Sequence, residues 1–322
     1  MKEKSEDEKI RVSFSSLNWL EISPAFFQAM KNGELAKEES KSMDFGKATH
    51  CYVLRPNDFQ KEYYVMEANT PDNAQQNAFA KLLATKMPYN DAYRACYSLT
   101  GKSEKTIEDA AAKLYMQLQP YANSLSLAEN RTIISSMDFA RLSKMSDSIQ
   151  AHKGARKLFD YAENHKDSVV FIEHEFMQQV RKLHDEKDLY IHGFIDHMIF
   201  DPNNRKMIIN ELKTTSDAHK DYRESFEKYH TARQLAMYSI AAGKLFEKTY
   251  PDISLKEMSI EWNIIVVQSM KLFETKVYAV NAMDIENGMH EYRDLINRYV
   301  FHYKEGWDYS QEYYTNEGIE RL

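Results

Sequence analysis

Residues 193–215, "GFIDHMIFDPNNRKMIINELKTT", decide how this chain folds. Two runs rich in β-branched and aromatic residues flank "DPNNR", the composition of two strands joined by a turn. Asn tolerates positive φ, so Asn203 and Asn204 are expected to form a two-residue hairpin loop. That register sets Asp196 opposite Glu211, and directly opposed residues share one face of the sheet. Alternation puts Lys213 on the same face, two residues beyond Glu211. Opposed carboxylates repel, and a divalent cation such as Mg²⁺ is the natural neutraliser, since it prefers hard oxygen ligands. The acid-x-Lys triplet alone decides little, because "ESK" (39–41) and "DEK" (185–187) recur in the same chain. A salt-bridged strand end and half of a metal-dependent phosphodiesterase site both fit the triplet. The opposed Asp196 favours the second.

Working outward, "RQLAMYSIA" (233–241) follows on a helix, where Gln234 and Tyr238 are four apart and share a face. Gln can hold a phosphate or the lysine, and a Tyr hydroxyl can do the same while its ring packs. His230 and Arg233, with Thr214 and Thr215 at the strand exit, are candidates for contacts to a nucleic-acid backbone. On the preceding strand, alternation gives Glu173 and Glu175 one face. His192 is expected on the face of Asp196 and His197 on the other, and Trp262 in the core.

The wider pattern is α/β. Residues 1–12 read as a charged, flexible lead, and 13–322 as one domain. Within it, 13–60 carry the first core helices, including "SP" with Pro24 in a first helical turn. Residues 61–165 show apolar spacing of three and four and read as a helical insertion, with Pro120 expected to break or kink a helix. Residues 166–322 run strand–strand–strand–helix–strand–strand–helix, expected to build a mixed central sheet flanked by helices.

"GFID" (193–196), "NELKTT" (210–215) and "QLAMY" (234–238) together resemble the PD-(D/E)xK nuclease superfamily. The pattern is most similar to the RecE-like and lambda-exonuclease-like phage exonucleases and to RecB-type nuclease domains. "GKATH" (46–50) is similar to the family's Gly-xxx-His helix, and the likeness covers about two-thirds of the chain, with no counterpart for 70–130. The resemblance implies a restriction-endonuclease-like core. It implies a metal held by His50, Asp196 and Glu211, Lys213 as the catalytic lysine, and Gln234 and Tyr238 as the helix motif. Glu175 is a possible further metal ligand, since the family sometimes carries an acid on that strand. Mg²⁺ or Mn²⁺ is the implied cofactor. The implied activity is exonucleolytic degradation of linear duplex DNA in phage-type recombination, with a single-strand annealing protein and a homo-oligomer as possible partners. An endonuclease or single-strand nuclease of the same fold is the near alternative. A non-catalytic DNA-binding or assembly protein, or an acidic protein–protein module, is the distant one.

Composition narrows these options. With 9 Gly and neither GxGxxG nor GxxxxGK[ST], phosphate loops have no support. Two cysteines cannot supply the four of an iron–sulfur cluster, so none is expected. A net charge of -7 argues against wholesale coating of nucleic acid, though not against a local basic groove. The charged first residues lack the apolar run of a signal peptide, and no segment reaches the roughly 18–20 apolar residues of a membrane span. A cytoplasmic location is therefore expected.

Overall fold

The computed structural model describes residues 9–36, 41–71, 73–216 and 222–319. The flexible lead expected over 1–12 falls outside the described residues up to residue 8. From Lys9 the chain is instead strand β1 (Lys9–Ser13). Ser13 caps helix α1 (Phe14–Ile22) in a reciprocal box with Ser16, and Ser23 caps α2 (Pro24–Asn32), whose Pro24 opens the helix as expected. Helix α3 (Lys41–Leu54) carries the "GKATH" segment.

Residues 55–143 form a compact unit of their own. It holds α4 (Pro56–Glu62), β2 (Tyr63–Met66), α5 (Ala74–Ala84), α6 (Tyr89–Cys96), α7 (Glu104–Ala128) and β3 (Thr132–Ser135), with β2 and β3 paired in parallel. Phe79, Ala80, Ala92 and Ala111, all fully buried, form its core. Helix α7 runs on through Pro120, contrary to the expected break. Buried Leu118, Tyr121 and Ala122 on either side hold that turn in place by packing, which offsets the lost backbone hydrogen bond.

The remaining residues, 1–54 and 144–322, form the other unit. The compact unit starts and ends earlier than the helical insertion expected over 61–165, and residues 144–165 group with the unit that holds the sheet. Helix α8 (Ser136–Ala151) is followed by α9 (Lys153–Phe159), α10 (Tyr161–Asn164) and strands β4 (Val169–Lys182), β5 (Asp188–Asp201) and β6 (Lys206–Thr215). Then come α11 (Tyr222–Lys228), α12 (Thr231–Thr249), β7 (Ser259–Gln268), β8 (Thr275–Val280), α13 (Ala282–Glu305) and α14 (Gln311–Thr315). The sheet runs β1-β5-β6-β7-β8, with β4 on the other side of β5. Pairing is parallel for β1–β5 and β6–β7 and antiparallel elsewhere, so the sheet is mixed.

Helices cover both faces. Leu235, Ala242 and Phe246 of α12 and Tyr299 of α13 pack with Met207 and Ile209 on one face. Met145, Ile149 and Leu54 pack with Ile199, Ile208 and Leu212 on the other. Burial on both faces explains the unbroken apolar run "MII" in β6. This is the α/β, restriction-endonuclease-like architecture that the sequence implied.

Candidate active site

The β5–β6 register is the expected one, although the turn is different. Asp201 pairs with Lys206 across a four-residue loop, and the positive φ belongs to Arg205 (51°), not to the asparagines. Two- and four-residue loops centred on the same peptide bond give the same register. The loop is fixed by Asp201, whose carboxylate accepts from the Asn204 backbone N–H (3.0 Å), the Asn204 amide (2.8 Å) and the Tyr161 hydroxyl (2.9 Å).

Backbone pairing of β5 with β6 stops at His197–Asn210, one step short of Asp196 and Glu211. There the strands part, and the Asp196 carboxylate accepts the Leu212 N–H at 2.8 Å, so a side chain stands in for the missing ladder bond. The same point carries a slip of face. Ile191 and Ile195 belong to the α12 side before Asp196, but Met198 and Phe200 do so after it. On β4 the shift is matched, since Phe176 and Phe171 both meet that core while Glu173 between them has φ 43°. The slip corrects two expectations built on strict alternation. His192 does not accompany Asp196; it lines a separate cavity with Arg11, Trp19 and Lys31. Glu175 pairs with Phe194 and is exposed on β4, outside the network described next.

That network joins the other expected residues. Lys213 Nζ donates to Glu211 Oε1 at 2.5 Å and to Gln234 Oε1 at 3.0 Å. Gln234 Nε2 donates to the Tyr238 hydroxyl at 2.7 Å, using the one-turn spacing on α12. From α3, His50 Nδ1 lies 3.4 Å from Asp196 Oδ1. Asp196 and Glu211 are both buried, Glu211 at 1% exposure. Burial and the neighbouring Asp196 charge raise the Glu211 carboxyl above its ordinary range, against the pull of Lys213. Burial pushes Asp196 up as well, but His50, Lys213 and the Leu212 N–H outweigh it and hold Asp196 low. Burial disfavours a charged His50, yet the two carboxylates prevail and raise its imidazole to about 9.

The His50 imidazole and the Lys213 ammonium thus lie beside two buried carboxylates. Glu211 Oε2 is left buried without a hydrogen-bond partner, a costly state for a carboxylate oxygen. Among the described residues no three His, Cys, Asp or Glu side chains already form a metal cage. The donor set nevertheless fits a divalent cation. It offers two carboxylates, one of them with an unpaired oxygen, and one imidazole that ligates in its neutral form.

Behind the site, His197 is buried and pushed down to about 4 by burial, hence neutral. Its Nδ1 lies 2.8 Å from the Asn210 amide, and Asn263 donates to Asn210 at 3.0 Å. This polar row ties β5, β6 and β7 together one residue from Asp196 and Glu211. In front, a cavity of about 720 Å³ is lined by Lys213, Gln234, Thr214, Thr215, Ser42 and Ser225 among others. The two threonines at the strand exit therefore line this cavity.

Arg233 and His230 do not. Arg233 is 1% exposed and donates to Glu21 (2.6 Å) and Asn18 (2.9 Å) on α1, with Glu291 of α13 at 3.7 Å. His230 Nε2 lies 3.2 Å from the same Glu21. Both serve helix packing, because α1 and α13 supply carboxylates that local sequence gives no sign of. Gly288 is a further residue without a local signal. A Cβ there would stand 2.5 Å from the Ala232 carbonyl, so α13 meets the start of α12 backbone to side-chain-free backbone. Gly288→Ala is expected to lower stability by about 1–3 kcal/mol, read as a lower denaturant midpoint. An unchanged midpoint would show that the two helices separate without cost.

A family model for "PDDEXK-like domain of unknown function (DUF3799)" matches residues 13–307. No curated protein matches the sequence. Among solved structures, the chain is similar to a protein from Eubacterium rectale named "Putative exonuclease", at 9% identity and TM-score 0.47, covering 100% of this chain and 96% of that one. It is also similar to SSO0001, at 14% identity and TM-score 0.27, covering 67% of this chain and 84% of that one. Likeness this distant says nothing of chemistry. With nearly its whole length matched by the family model, and a mixed sheet that parts at Asp196 and Glu211, the chain belongs to the PDDEXK-like domain family DUF3799 of the PD-(D/E)xK nuclease superfamily.

Proposed function

We propose that this protein is a metal-dependent deoxyribonuclease acting on the ends of linear duplex DNA. The observation that carries the reading is the half-buried Glu211–Lys213–Gln234–Tyr238 chain beside Asp196 and His50, with one Glu211 oxygen unpaired. His50, Asp196 and Glu211 would hold a divalent cation, Mg²⁺ or Mn²⁺. When bound, that ion supplies charge neutralisation at the scissile phosphate and a more acidic attacking water. Lys213 can offset negative charge developing on the phosphate, as fixed cations do in low-dielectric sites. Gln234 and Tyr238 orient that ammonium, so it meets the phosphate without searching for its rotamer. The hydroxyl-lined cavity in front accepts backbone phosphate oxygens through Thr214 and Thr215 without demanding a base sequence. A recombination role, with an annealing protein as partner, extends this reading by resemblance alone.

The test is incubation with linear and covalently closed circular duplex DNA, with and without Mg²⁺. Digestion of the linear form only, and only with the metal, is the expected result. Cutting of the closed circle would replace the exonuclease with an endonuclease. Cutting in chelator would remove the metal from the reading.

A further inference from the structure

We infer that the polar row behind the site, His197–Asn210–Asn263, is a clasp that sets how far the Asp196 and Glu211 carboxylates part, with Asn210 as its positioning residue. The row lies on the sheet face opposite Glu211. Alternation along β6 sends Glu211 and Lys213 towards α12, where Lys213 meets Gln234, and sends Ile208, Asn210 and Leu212 to the other side. On that side Ile199 of β5, Ile208 and Leu212 of β6 and Ile265 of β7 flank the row in one apolar layer.

Polar groups buried in such a layer cost stability unless their hydrogen bonds are made. Here they are made in series. The Asn210 amide donates to His197 Nδ1 at 2.8 Å, and the Asn263 amide donates to the Asn210 side-chain oxygen at 3.0 Å. All three residues are buried. An amide N–H can only donate, so His197 carries its ring proton on Nε2. The imidazole is held from its other side by Phe159, whose ring meets it edge to face at 5.2 Å.

Position gives the row its role. His197–Asn210 is the last pair of the β5–β6 ladder, and Asp196 and Glu211 are the next residues on the two strands, where they part. Asn210 also pairs with Asn263 in the β6–β7 ladder, so the row crosses three strands at the foot of the fork. Past it, the Leu212 N–H turns to the Asp196 carboxylate at 2.8 Å. Apolar side chains at the three positions would fill the layer without fixing where the ladder ends. Two hydrogen bonds in series do fix it, since each weakens steeply as its angle changes. The carboxylates one residue beyond thereby start from a fixed separation, and Mg²⁺ tolerates little departure from octahedral geometry. That the clasp serves a metal rests on the nuclease reading; the clasp itself rests on its hydrogen bonds alone.

The test compares Asn210→Leu with the parent, as full chains without DNA, by two readouts. Hydrogen exchange of the Leu212 amide reports the fork, and Mn²⁺ titration followed by electron paramagnetic resonance reports the carboxylates. Asn210→Leu keeps the apolar layer filled and removes both hydrogen bonds. Leu212 is expected to exchange about tenfold faster, and the Mn²⁺ Kd to rise about tenfold or more, the scale on which supporting contacts around metal ligands act. Ile208→Val, two residues away on the same face, is the control. It lowers stability with the row intact and should leave the Mn²⁺ Kd at the parent's value. Asn263→Ser releases only the outer bond, should shift both readouts less, and carries the test should Asn210→Leu fail to fold. Unchanged Leu212 exchange, or Mn²⁺ binding equal to the parent's, overturns the clasp, as does an equal loss of Mn²⁺ binding in Ile208→Val. A parent that binds no Mn²⁺, with Leu212 exchange still quickened by Asn210→Leu, removes the metal reading and leaves the clasp standing.

Discussion

Lys213→Met is expected to lower DNA cleavage by about 10²–10³-fold while leaving DNA binding nearly unchanged. The ammonium sits 2.5 Å from Glu211 and 3.0 Å from Gln234, at the wall of the cavity proposed to take the DNA backbone. It is therefore in place before substrate arrives and costs no reorganisation during reaction. Asp196→Asn is the companion variant. Its amide oxygen can still accept the Leu212 N–H, so the strand junction survives while the negative charge is lost. Cleavage should fall at least as far, and metal affinity should fall with it. Single-turnover rates with Mg²⁺ titrated separate the two effects. Lys213→Met is expected to change the rate at saturating metal, and Asp196→Asn the metal concentration needed. Full cleavage by both variants would sink the site assignment.

The second large effect is on stability. Arg233→Met is expected to cost about 1.5–3 kcal/mol, the loss of hydrogen bonds to a charged group whose carboxylate partners stay partly hydrated. Arg233 is 1% exposed, and its guanidinium ties α12 to Asn18 and Glu21 on α1 and faces Glu291 on α13. Removing it leaves Glu21 and Glu291 each near His230, with Arg298 also acting on Glu21. Burial raises the Glu21 carboxyl, and Arg233 together with His230 and Arg298 outweighs this and holds it low, so these contacts favour the folded state while Glu21 is charged. The urea midpoint of Arg233→Met measures the cost, and Glu21→Gln should cost less because Glu21 is partly exposed. A midpoint equal to the parent's would show that α12 is positioned by apolar packing alone. Loss of cleavage in this variant should follow its unfolding, not precede it, because Arg233 does not itself line the cavity that Lys213 lines.

Much of the site could be read from the chain because its logic is local. Asp196, Glu211 and Lys213 are grouped by one hairpin, and Gln234 and Tyr238 by one helical turn. A hairpin register depends on where the loop is centred, so it survived an error in loop length. The faces were less legible. Strict alternation placed His192 with Asp196, but the paired slip at Glu173 and Asp196 moved it to another cavity. Such a slip arises from the twist and divergence of strands in a sheet, which a period of two cannot record.

The sequence by itself determined the α/β class, the hairpin register and the grouping of acids, lysine and helix motif, since each follows from contacts two, four or sixteen residues apart. The tertiary structure alone decided which basic residues are already paired. Arg233 is paired with residues more than two hundred positions away, on α1, while among the described residues no carboxylate forms an ion pair with Lys31, which donates to the Tyr299 hydroxyl instead. Charge on a side chain is a property of the residue; whether that charge is already neutralised depends on which distant elements the fold packs against it.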